Sequence, residues 1–180
     1  MKSKQIVFLA QTAVMLALLI GVQFATRSFG QFVTGSLVNL ILLVSALAIG
    51  VGGGLVVAVL SPFFAVLVGM GPAFLQIVPF MAVGNAILVL VAQFSRKPLA
   101  GKGMKNIFAA AAGLAAAAAA KFGFLWIGLV VVALPMIPGI TENQVAAIST
   151  AFTWPQLVTA LLGGMLAMTI VPLLNKALKK

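Results

Sequence analysis

Residues 106–134 form a run of 29 positions in which only Asn106 and Lys121 are polar. A spanning helix needs about 20 apolar residues, so this run alone commits the chain to a bilayer. Five further apolar stretches repeat the pattern. The 180 residues are 63% hydrophobic and 7% charged, whereas about a quarter of a soluble domain is charged. The apolar runs are continuous and do not alternate in strand period, which argues against a barrel. The expected fold is an all-α integral membrane protein, one compact bundle over residues 1–180. Its six transmembrane helices are expected at about 6–25, 35–51, 54–68, 78–94, 107–133 and 156–174.

Lys2 and Lys4 ahead of an apolar core resemble a signal peptide, but Gln23-Phe24-Ala25 is not a small-residue cleavage site. The segment is therefore read as the first span. Pro62 predicts a kink that neighbouring helices can accommodate. The glycines and prolines of residues 69–79 predict a break. Thr141 and Gln144 have capping-box spacing, so a short interfacial helix is expected at 142–151. Thr153, Pro155 and Gln156 repeat that form at the start of the last span.

The net charge of +10 could suggest nucleic acid, but its distribution does not. Lys2 and Lys4 precede span 1. Arg96, Lys97, Lys102 and Lys105 lie between spans 4 and 5, and Lys176, Lys179 and Lys180 end the chain. With six spans these three clusters share one side, which the positive-inside rule makes cytoplasmic. Both termini are then cytoplasmic, in a multi-pass membrane protein. Anionic lipid or an acidic cytoplasmic partner suffices to explain the basic residues, without nucleic acid.

The chain has no His, Cys, Tyr or Asp, and Glu142 is its only acid. No metal site, carboxylate dyad or redox pair can be assembled, so neither an enzyme nor a cofactor protein is expected. Lys121 stands out instead. A cation at membrane depth costs about 2.5–3.5 kcal/mol on insertion scales and normally faces the protein interior. It lies 15 positions beyond Asn106, roughly 22 Å along a helix, in the outer half of the membrane. There it can bind an electron-rich group in an outward pocket or snorkel to headgroups. Candidate neighbours in such a pocket are Asn85, Gln76, Asn39, Trp126, Gln156 and Arg27. Each also has a packing, capping or anchoring role open to it. On span 1, Ala13, Ala17 and Gly21 form a small-residue stripe that permits close approach by another helix, inside the bundle or in another protein.

These features together, with the segments Ala13 to Ala17, Lys121 to Leu125 and Phe152 to Val158, resemble the substrate-binding S component of energy-coupling factor (ECF) transporters. The resemblance implies a prokaryotic plasma-membrane protein that captures a vitamin or related micronutrient in an outward pocket. It also implies delivery through a membrane coupling protein and two ABC-type ATPases, with Ala13 and Ala17 against the coupling protein. The chain has no GxxxxGK[ST] loop, so ATP hydrolysis must come from partners. The alternative is a small structural or scaffolding protein of a cell-envelope assembly, with Lys121 snorkelling.

Overall fold

The computed structural model describes residues 3–72 and 74–178. Lys2, Lys179 and Lys180 of the basic clusters, and Ala73 in the 69–79 break, lie outside the described residues. The described residues contain helices and turns but no strand. Helix α1 covers Ser3–Thr26, α2 Gly30–Val44, α3 Val51–Leu67 and α4 Val78–Ala92. A short α5, Arg96–Ala100, leads into α6, Met104–Phe124, followed by α7, Glu142–Phe152, and α8, Trp154–Leu178. Two segments are wound more loosely, with π-type turns: Ser45–Ile49 after α2 and Leu125–Ala133 after α6.

Four helical stretches are long and apolar enough to cross a membrane: Ser3–Ile49, Leu75–Ala100, Met104–Met136 and Glu142–Ala177. Val51–Leu67 is apolar but shorter. The first stretch is not one rod. Its 47 residues would reach roughly 70 Å at 1.5 Å per residue. Instead the chain bends at Gly30, whose φ is +80°. The Thr34 hydroxyl then donates to the Thr26 carbonyl at 2.8 Å, a pair that a straight helix would hold about 12 Å apart. The joint between the π-turns and α3 is Gly50, with φ +126°, a value that L side chains rarely adopt.

One core joins the six long helices, through Leu19, Leu42, Val57, Leu88, Ala117 and Val171. A second, smaller cluster of Ile77, Leu125, Leu129, Leu134, Ile137 and Phe152 seats α7. Thin helix surfaces permit the close packing: Ala117 and Ala118 of the alanine-rich run are fully buried. Many large apolar side chains point outward instead, among them Val14, Phe63, Leu90, Phe108 and Met165. That suits a bundle solvated by lipid.

Helix α7 starts as its capping residues direct, with Thr141 and Gln144 forming both bonds of the box. The start of α8 differs from the expected repeat. Thr153 donates its hydroxyl back to the Thr150 carbonyl, and Gln156 donates its amide to Ala151 at 3.4 Å. Gln156 is thereby turned toward α7 and away from the backbone of its own helix.

Candidate functional site

Lys121 is 4% exposed, and its amine points into the bundle. It donates to Asn39 Oδ1 of α2 at 2.7 Å and to Asn85 Oδ1 of α4 at 2.8 Å. Both distances are typical of charge-assisted bonds. Each asparagine is itself held. Asn39 Nδ2 donates to Thr159 Oγ1 of α8 at 3.2 Å, and the Thr159 hydroxyl donates to the Gln156 carbonyl. Asn85 Nδ2 faces the Ala58 carbonyl of α3 at 3.5 Å. That carbonyl is the one left without its helical donor, because residue 62, four positions on, is a proline. Asn85 therefore supplies the donor that the proline withholds.

These groups line one side of a cavity of about 330 Å³. It is bounded by the C-terminal parts of α1, α3 and α6 with the N-terminal parts of α2, α4 and α8, so it opens at one end of the bundle. The exposed basic residues Lys4, Arg96, Lys97, Lys102, Lys105 and Lys176 belong to the opposite end. Apolar walls come from Val38, Pro62, Ala65, Met81, Leu125 and Phe152. The size lies at the lower end of small-molecule sites, about 300–1,000 Å³.

Of the residues proposed from sequence, Lys121, Asn85, Asn39, Gln156 and Arg27 border this cavity. Arg27 is exposed at the rim, its guanidinium 4.8 Å from the Phe24 ring centroid. Gln76 and Trp126 do not border it. Trp126 is five residues past Lys121, about 140° round the helix. It is 47% exposed and stacks on Phe122 with ring centroids 6.1 Å apart. Gln76 is exposed and borders a separate hollow of about 220 Å³ with Phe80, Leu129 and Met136. The stripe of Ala13, Ala17 and Gly21 is exposed on the outer face of α1, so the bundle itself does not use it.

The family model for the ECF transporter, substrate-specific component, matches residues 8–175. The chain belongs to this family. Comparison with curated proteins and with solved structures finds no match. As an ECF substrate-specific component the chain is a transporter subunit of a non-enzymatic family. Among the described residues no group of three or more His, Cys, Asp or Glu is placed to hold a metal.

The cavity of this S component also contains polar residues that sequence reasoning passed over. Gln23 of α1 is 5% exposed and its Oε1 is buried without a hydrogen-bond partner. Gln31 donates to the Ala151 carbonyl at 2.6 Å, tying α2 to the end of α7. Gln23 shares a helix face with Arg27, four residues on, but nothing in the sequence says that this face turns inward; its burial, like that of Leu19, is supplied by the fold.

Among the described residues nothing acidic borders the cavity, so there the Lys121 charge rests on neutral amides. Replacing Asn39 with Asp should therefore raise the melting temperature of the ligand-free protein. The change turns a neutral acceptor into a counter-charge, worth on the order of 1–2 kcal/mol. The Thr159 hydroxyl can swing from Gln156 to donate to the new carboxylate. The same variant should lose its thermal response to anionic solutes. A melting temperature below that of wild type would contradict the internal pairing.

Proposed function

We propose that this protein is the substrate-capture subunit of an ECF-type importer, binding a vitamin or related micronutrient in the Lys121 cavity. The single observation that carries the reading is a cation buried between two fixed amides at the edge of a cavity, with no acid beside it. A scaffolding protein would have no use for that arrangement. A charge deep in the bundle without a counter-ion is costly unless a ligand completes it. Lys121, Asn39, Asn85, Gln156 and Arg27 are assigned to substrate binding.

Six crossings by one six-helix domain are the topology this reading adopts. The bend at Gly30 divides Ser3–Ile49 into two passes. The 17 residues of α3 reach about 26 Å, close to the hydrocarbon thickness of about 30 Å. The basic end then faces the cytoplasm with both termini, and the cavity opens outside. Substrate is passed on through a membrane coupling protein and two ABC-type ATPases, with the exposed Ala13–Ala17–Gly21 face of α1 as the docking surface.

The test is a thermal-shift screen of the purified full chain against a micronutrient panel. A true ligand at 100 times its Kd should stabilise by about 2.7 kcal/mol. A panel that leaves the melting temperature unmoved at millimolar concentration would count against solute capture.

A further inference from the structure

The capture reading leaves the chemistry of the solute open, and the cavity narrows it through a residue whose side-chain oxygen is unpaired. Gln23 borders the cavity, is 95% buried by its 5% exposure, and holds an Oε1 that nothing in the described protein satisfies. Its neighbours differ. Asn39, Asn85, Gln31 and Gln156 each spend an amide on a helix-to-helix or helix-to-turn bond. A buried acceptor without a donor costs the folded state its desolvation, so its retention points to a donor that arrives with the solute.

Three further facts constrain the rest of the molecule. The ionised groups at the cavity are Lys121 and the rim residue Arg27, and both are cations. Glu142 stands at the opposite end of α7 from Phe152, too far to welcome a positive solute. Lys121 has three N–H donors, of which Asn39 and Asn85 take two. One donor remains, enough for a single oxygen of an anion. The walls between are Val38, Pro62, Ala65, Met81, Leu125 and Phe152, which suit a hydrocarbon body better than a polyol.

Resting on the capture reading above, we propose that the solute is a small carboxylate with an apolar body and a separate hydroxyl or N–H. Lys121 takes the carboxylate and Gln23 Oε1 accepts from the separate donor, which makes Gln23 a specificity-determining residue.

The experiment uses matched sets of probes with the full chain in detergent, read by calorimetry and thermal shift. Each set contains a C4–C10 monocarboxylate bearing a hydroxyl or amide N–H, its carboxamide, and the analogue with the donor replaced by hydrogen or methyl. On the wild type, loss of either feature should weaken binding about tenfold or more. Gln23→Met should bind the donor-bearing and donor-free acids equally while still preferring acid to carboxamide. Lys121→Met should show the reverse pattern. Gln23→Met should melt no lower than wild type without solute, and Gln23→Leu provides the same comparison if the methionine variant fails to fold. Undiminished preference for the donor-bearing acid in a folded Gln23 variant overturns the assignment. A neutral or cationic micronutrient that binds where these acids do not overturns the carboxylate class but leaves solute capture standing. Failure of every class of small molecule to bind overturns both.

Discussion

Lys121→Met is expected to weaken binding of an anionic solute by about 2–5 kcal/mol, the usual cost of truncating one partner of a desolvated charge pair. At about 1.4 kcal/mol per tenfold, that is a loss of roughly 30-fold to several thousand-fold. Stability should move much less. The variant loses two bonds to Asn39 and Asn85, but it also sheds a charge buried without a counter-ion, and these effects oppose one another. Calorimetry against the tightest carboxylate from the matched sets, alongside the melting temperature of the solute-free protein, separates the two. Equal affinity in wild type and variant would remove the lysine from the binding site.

Gly163→Ala is expected to be the most disruptive single methyl on α8. A Cβ there would lie 2.8 Å from the Leu40 nitrogen and Asn39 Cβ, and 2.9 Å from the Ser36 carbonyl oxygen. Two of those atoms are backbone and cannot rotate away, so α8 and α2 must separate. Overpacking of this kind costs about 1–3 kcal/mol, or a fall of roughly 2–12 °C in melting temperature for a chain of this size. Solute affinity should fall with it, because Asn39 moves with α2. Gly164→Ala is the control. Its nearest neighbour would be Leu114 Cβ at an ordinary 3.5 Å, and alanine's better helix propensity should leave that variant as stable as wild type or more so. Equal melting temperatures for the two variants would contradict close contact at Gly163.

The buried polar cluster of the candidate site was legible in the chain because polarity within an apolar run is informative wherever it occurs. Lys121, Asn39 and Asn85 were each isolated by that contrast, and the three side chains meet in the structure. Position along a helix was legible as well, but rotation about its axis was not. Trp126 has the right height and the wrong face, whereas Leu125, four residues from Lys121, borders the cavity. Gln23 was hidden for another reason. It lies near the end of span 1, and its burial comes from helix packing that no local pattern encodes. The capping box of α7 was local, and so legible. Gln156 was drawn off by the Ala151 carbonyl, five residues back across the α7–α8 joint, a local competitor that the capping pattern does not reveal. The π-type turns of Leu125–Ala133 left no mark in composition.

The proline of α3 has a consequence for motion. Because Ala58 of α3 leans on Asn85 of α4 for its donor, and α2 is clasped to α8 at Gly163 and through Asn39 and Thr159, these helices form two coupled pairs. Lys121 bolts one pair to the other. Any opening wide enough to admit or discharge a solute must either unfasten that ammonium or leave all five helices, α6 included, travelling as a single rigid piece. The cheaper displacement falls on segments outside this frame: the stretch at 70–72, and α7, which an apolar cluster and two amides at the Ala151 carbonyl hold to the rest. Passage of the solute would then be governed at the rim, with the lysine and its two amides acting as the fixed frame.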